Sequence, residues 1–286
     1  MDWLDRMNSA MEYVETHLTE IIDFEQVARK AFCSTYHFQR MFSFITNVPL
    51  SEYIRRRRLT LAALELQQKG TKIIDIALKY GYESPEAFSR AFKKMHGVMP
   101  TSARDQGVSL KAYPRLSFHI SIRGDVEMNY KIEEKKAFEM FGISTVVNFD
   151  GFIEIPAFWN KCVSDGTVDR IRTAAELGEN DQIHGISYNF GKSYSYMIGY
   201  FLPQSGLQEG FEKLQISPQT YVIFSIGINP DGQSGLLELH KRIWGEWFPS
   251  SNYESANSPH FEMVYDRGNN MYETEIWIPI VYKPES

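Results

Sequence analysis

A nine-residue phrase occurs twice in this chain, and that repetition limits the folds open to it more than any other feature. Ser-Thr-Tyr-His-Phe-Gln-Arg-Met-Phe runs from 34 to 42, and Ser-Pro-Glu-Ala-Phe-Ser-Arg-Ala-Phe from 84 to 92. Ser34 matches Ser84, Phe38 matches Phe88, Arg40 matches Arg90 and Phe42 matches Phe92. Each copy has helical spacing. Phe38, Met41, Phe42 and Ile45 form one apolar stripe, as do Phe88, Ala91, Phe92 and Met95. Ser34 and Ser84 are good N-caps. Arg40 and Arg90 fall on the side opposite the stripe.

What precedes each copy repeats as well. Residues 24–31 and 72–80 read as short helices with Ala28 and Ala77 small at a helix crossing. Gly81 suits a left-handed turn before the second copy. Short helix, tight turn, second helix is the helix-turn-helix plan. Between the two units, residues 49–69 read as one linker helix, with Ser51 as N-cap and Gly70 as stop. From Glu52 to Lys69 such a helix spans about 27 Å. Successive major-groove faces of B-DNA lie about 34 Å apart. Two units held by one helix of that length reach two neighbouring grooves, which explains why the phrase is written twice. A further helix over 3–17 is apolar on Trp3, Met7, Met11 and Val14 and is expected to pack.

Charge supports a polyanionic partner for this region. Residues 29–104 carry 14 Lys+Arg and 5 Asp+Glu, a net +9 inside a chain of −6. In the quartet Arg55–Arg58, at most two side chains can face phosphate, because four consecutive helical positions span every face. The others are expected to pair with Glu52 or lie in water. From residue 107 onward the balance reverses to 15 Lys+Arg against 23 Asp+Glu, so that part is expected to repel DNA.

Over residues 3–106 the chain resembles the AraC/XylS family of bacterial transcription regulators, most of all in Gly-Tyr-Glu-Ser-Pro-Glu-Ala-Phe-Ser-Arg-Ala-Phe-Lys-Lys-Met-His-Gly-Val-Met-Pro-Thr (81–101). The resemblance implies binding to double-stranded DNA through two successive major grooves, usually with activation of transcription and RNA polymerase as a further partner. It places the base-reading positions on Tyr36, Gln39 and Arg40 in the first recognition helix, and on Glu86, Ala87 and Arg90 in the second. Lys93 is expected to contact phosphate. Arg and Gln have the geometry for bidentate contacts to guanine and adenine edges. Glu86 and Ala87 are weaker readers.

Residues 107–127 read as a linker and 128–286 as a second, α+β domain, giving a multidomain chain with an all-α domain over 1–106. The second domain also repeats itself. Strand candidates at 137–147 and 220–228 are each followed by helix candidates at 156–163 and 236–248, with a second helical stretch at 168–177. Two further strands close each copy, at 183–190 with 193–202 and at 260–265 with 272–282. Gly-Lys (191–192) and Gly-Asn-Asn (268–270) mark the hairpins. Each copy reads strand, helix, strand, strand. Phe-Glu-Met-Val-Tyr (261–265) and Glu-Ile-Trp-Ile-Pro-Ile (275–280) resemble the GyrI-like small-molecule-binding domain. That resemblance implies a cleft between the copies for a small hydrophobic, often cationic effector. A lipophilic cation needs aromatic faces and a carboxylate. Glu273, Glu275 and Trp277 alternate onto one strand face, with Ile276, Ile278 and Ile280 on the other. Glu275 is therefore the carboxylate expected in the cleft, and Trp159, Tyr188, Tyr221, Trp244 and Trp247 are the aromatic candidates, about half of which should reach it.

The histidines form no cluster, and no Ser/His/Asp or metal-ligand spacing occurs, so no catalytic residue, metal or cofactor is expected. Cys33 and Cys162 read as two reduced thiols of a cytoplasmic protein. No apolar run approaches the length of a membrane span. A ligand-responsive regulator is the expected function. The alternatives are that the second domain hydrolyses small electrophilic molecules or binds a protein.

Overall fold

The computed structural model describes residues 3–68, 70–105, 107–119, 127–148, 154–178, 181–191, 193–230, 232 and 234–283. The chain divides into two compact units, Met1–Ser121 and Ile122–Ser286. Lys69, Gln106, Lys192 and residues 120–126 of the expected linker lie outside the described residues. No helix among the described residues is long and apolar enough to cross a membrane.

The first unit consists of α1 (Trp3–Thr16), α2 (Phe24–Lys30), α3 (Thr35–Thr46), α4 (Leu50–Leu66), α5 (Ile73–Lys79) and α6 (Pro85–His96). Ser34 accepts a hydrogen bond from the His37 amide at 3.2 Å, and Ser84 from the Ala87 amide at 3.1 Å. Both caps satisfy amides that the first helical turn leaves without an internal partner. Gly81 adopts φ +79° in the turn before α6. The α4 helix starts after Pro49 with no side-chain cap, so Ser51 lies inside it instead of capping it. Leu59, Leu66, Ile76, Phe88 and Phe92 form the core of the second helix-turn-helix. Met7, Met11, Val14, Phe38 and Phe42 are buried in and around the first.

Each arginine in 55–58 has a partner, although Arg55 and Arg56 keep about a third of their side chains in solvent. Arg55 and Arg56 both bond Glu52. Arg57 donates to both carboxylate oxygens of Glu15, at 2.9 and 2.8 Å, and to the Tyr113 carbonyl. Arg58 donates to the carbonyls of Leu18 and Glu20. The quartet thus ties α4 to itself, to α1 and to the α1–α2 loop.

The segment from 107 to 119, read from sequence as linker, is packed onto the first unit. The Tyr113 amide donates to Thr60, the Lys111 amide to His96 Nδ1, the Leu116 amide to the Tyr53 hydroxyl and the Phe118 amide to Asn8. Phe118 meets Trp3 and Phe42 edge-on at 6.3 Å. Side chains of α1, α4 and α6 take the place of the missing strand partner, so this strap satisfies its backbone without forming a sheet.

The second unit is an antiparallel sheet with helices. It contains β1 (Tyr130–Lys135), β2 (Phe138–Val147), α7 (Glu154–Ser164), α8 (Thr167–Ala174), β3 (His184–Tyr188), β4 (Tyr194–Phe201), β5 (Glu212–Ile216), β6 (Gln219–Asn229), α9 (Leu236–Arg242), β7 (Tyr253–Ser255), β8 (His260–Asp266) and β9 (Tyr272–Tyr282). After α9 the helix widens into a π turn over Ile243–Trp247. The strand order is β1-β6-β9-β8-β3-β4-β2-β5, with β7 beside β9. The expected duplication is present: β2, β4 and β3 mirror β6, β9 and β8, and the copies join where β3 pairs with β8, Ile186 opposite Phe261. Strands β1, β5 and β7 were not foreseen.

His184 lies buried near this junction, stacked on Tyr200 at 5.0 Å and accepting the Val264 amide on Nδ1 at 3.2 Å. Burial pushes its pKa down to about 4 from an ordinary 6.5. A histidine held neutral in the fold leaves the unfolded chain with the extra proton. Its contribution is therefore intact above pH 6.5 and is lost as pH falls toward 4. The C-terminal unit is expected to lose about 2 kcal/mol between pH 7.5 and 5 from this residue. Urea titrations at the two pH values measure it, and a His184→Phe variant should show a correspondingly flatter pH dependence.

Candidate DNA-reading helices and effector cleft

The two recognition helices differ in what they present. In α6, Phe88, Phe92 and Met95 are buried, while Glu86, Arg90, Lys93 and Lys94 are exposed and Ala87 is half-buried. Arg90 and Lys93 are three residues apart, so they lie side by side on the open face. Glu86 near the start and Lys93 and Lys94 near the end complement the helix dipole. In α3, Tyr36 and Gln39 are buried. Arg40 donates to the Tyr36 hydroxyl one turn earlier and lies 5.3 Å over the Phe44 ring. The guanidinium that sequence spacing assigns to an open face is thus held along its own helix.

In the second unit, a cavity of about 440 Å³ opens at the junction of the two copies, between α7 and the start of α9. Trp159 of α7, Tyr196 of β4 and Tyr272 of β9 give it aromatic walls, and Glu262 of β8 gives it a carboxylate. The Trp159 indole donates to the Tyr196 hydroxyl at 2.9 Å, which fixes both rings. Tyr196 lies directly over Gly185. A Cβ there would come within 2.2 Å of the Tyr196 hydroxyl, so only glycine leaves the ring its place. Gly185 is paired across the junction with Glu262. His240 Nε2 is 3.4 Å from the Glu262 carboxylate. The volume lies within the roughly 300–1,000 Å³ common to small-molecule sites.

Of the residues expected in the cleft, only Trp159 lines this cavity. Trp244 stacks on Phe248 at 4.7 Å and Trp247 on Tyr253 at 6.1 Å, as packing for the π turn and its neighbours. Tyr188, Tyr221 and Trp277 belong to a separate apolar cluster with Phe261 and Met263. Phe261 and Glu262 alternate along β8, so that cluster and the cavity lie on opposite faces of the sheet. Glu275 also faces away from the cavity. It accepts the Trp277 indole at 2.8 Å and pairs with Lys131 at 3.2 Å. Burial raises the Tyr221 hydroxyl pKa above its ordinary range, and that hydroxyl has no hydrogen-bond partner among the described residues. Glu262, missed as a site residue, stands in the stretch 261–265. Its alternation with Phe261 and Met263 separates it from that cluster, but which face holds the cavity is set by the packing of α7 and α9.

A helix-turn-helix domain model matches residues 27–106, and the model of the integron-associated effector binding protein matches 131–280, more than half of the chain. Among curated proteins, the HTH-type transcriptional activator AarP of Providencia stuartii is 38% identical over 98 residues, 34% of this chain and 73% of that protein. The chain belongs to the AraC-type regulators and carries an effector-binding domain. The regulatory protein SoxS of Salmonella typhimurium, 38% identical over 98 residues, is matched over 92% of its length and 34% of this regulator. A crystal structure of a bacterial transcription regulation protein from Staphylococcus aureus MU50 overlaps 54% of this regulator and 99% of its own chain, at 22% identity and a TM-score of 0.43. The regulator thus joins a DNA-binding helical domain to an effector-binding sheet domain.

Proposed function

We propose that this regulator activates transcription in response to a lipophilic cation bound in the junction cavity. The observation that carries this is a carboxylate, Glu262, set among Trp159, Tyr196 and Tyr272 in one cavity. Aromatic faces attract a cation through their quadrupoles, and the carboxylate supplies the opposite charge. Tryptophan fluorescence titration with a lipophilic cationic dye and a neutral dye of equal shape tests the reading. The cation is expected to bind more tightly. Equal binding, or turnover of the dye to a product, would remove it.

On the DNA side, Arg90 reads a base edge and Lys93 holds phosphate. Both are exposed on one face of α6. Glu86 and Ala87, in the first turn, shape the same contact. Arg40 joins the reading only when its bond to Tyr36 is released, and Tyr36 and Gln39 contribute through that same helix. Arg90→Ala is expected to cost about 1–3 kcal/mol on the best site and to relax base preference there. Lys93→Ala weakens all sequences alike and lowers the salt slope by about one. Selection from a random DNA pool separates the two, and an unchanged consensus for Arg90→Ala would reduce Arg90 to a phosphate clamp.

A further inference from the structure

The sheet of the second unit ends on one side in β1, which pairs with β6 along its inner edge and with no strand along its outer edge among the described residues. Tyr130, Lys131 and Ile132 are exposed there, Tyr130 by 53% and Ile132 by 41%. A ladder of rings continues from Tyr130. Trp247 lies 5.4 Å from it, Tyr253 stacks on Trp247, and Tyr282, 73% exposed, lies 4.7 Å from Tyr253. An open edge of this kind carries unpaired N–H and C=O groups that template another strand.

The charges of β1 select its partner. In antiparallel pairing about a two-fold axis, opposed residues share a sheet face, so a strand of Tyr-Lys-Ile-Glu-Glu-Lys has few self-registers. Centred on Ile132, the pairing sets Ile132 against the partner's Ile132, and Lys131 against the partner's Glu133, twice over. Centred on Glu133, it would set Glu133 against the partner's Glu133 and Lys131 against the partner's Lys135. Opposite charges directly across a strand pair stabilise it and like charges destabilise it. Lys131 already lies 3.2 Å from both Glu133 and Glu275 of its own chain, so its ammonium is held over this face. The other sheet edge, β5, lacks the pattern. Self-pairing about Leu214 would set Lys213 against the partner's Gln215 and Glu212 against the partner's Ile216.

We propose that β1 is a homodimer interface, in which two copies of the chain pair edge to edge about a two-fold axis through Ile132. The interface is isologous and closes on itself, so it makes dimers and not filaments. In this register Tyr130 stands opposite the partner's Glu134.

Sedimentation equilibrium of the full chain tests this, with twice the chain mass expected. Ile132→Lys, at an exposed position, should sediment as a monomer with an unchanged circular dichroism spectrum. In a Cys33→Ser background, Ile132→Cys should form a disulfide-linked dimer under mild oxidation. Lys131→Cys should not, because its mate is offset by two residues, beyond the roughly 7 Å Cα separation that a disulfide spans. A monomeric parent chain overturns the proposal, whether or not a foreign strand binds the edge. So does a dimer that survives Ile132→Lys, or cross-linking of Lys131→Cys as readily as Ile132→Cys.

Discussion

Glu15→Ala is expected to destabilise the helical unit by about 3–5 kcal/mol. The Glu15 and Arg57 side chains are only 8% and 10% exposed and meet through two hydrogen bonds. Tyr53 donates to the same carboxylate at 2.6 Å. Burial alone would raise the Glu15 pKa, but the bonds from Arg57 and Tyr53 outweigh it and hold the carboxyl below its usual range. Removing Glu15 leaves the guanidinium buried with only the Tyr113 carbonyl as acceptor. Chemical denaturation followed by helical circular dichroism reads the loss. The double exchange Glu15→Met with Arg57→Met removes both charges and should recover much of the stability. A single exchange costing under about 1 kcal/mol would place the pair among ordinary surface ion pairs.

Glu262→Gln is expected to abolish the preference of the cavity for cations while keeping most affinity for a neutral dye. The exchange preserves shape and hydrogen bonding and removes only charge. A charge in a partly dry cavity acts through a lower effective dielectric than one at an open surface, so roughly tenfold or more of the cation preference should depend on it. Glu275→Gln is the control. Its carboxylate faces away from the cavity and is held by Trp277 and Lys131, so cation preference should survive. Loss of preference in Glu275→Gln, with none in Glu262→Gln, would move the site to the other face of the sheet.

The choice between those two glutamates shows where sequence stops being informative. Alternation along β8 and β9 divides residues into two faces, but both faces of this sheet are largely buried. Glu275 beside Trp277 therefore looks as much like a pocket wall as Glu262 does. Only the packing of α7 and α9 decides which face holds the cavity, and that is a long-range property. The helical unit was far more legible. Ser34, Ser84 and the paired Phe stripes are local signals, and each one forms as its spacing requires. The packing of the strap at 107–119 was not legible for the opposite reason. Its composition is that of a linker, and its partners are His96, Thr60, Tyr53 and Asn8, scattered over distant helices. Strands β1, β5 and β7 are short or polar edge segments, which lack the apolar run by which a central strand is recognised.

The arginine quartet has a consequence for operator architecture. An α4 of 17 residues spans about 25 Å, and its arginines bolt it to α1 and to the loop that precedes α2. The two helix-turn-helix units therefore behave as the jaws of a locked calliper. One base pair inserted between the two contacted grooves displaces the second by about 3.4 Å and turns it by roughly 35°. A hinge would absorb that change, but Arg57 and Arg58 fix the helix to the first unit, and its Leu59 and Leu66 are buried in the core of the second. Promoters under this regulator should keep an invariant gap between their two recognition blocks, even where the blocks themselves diverge.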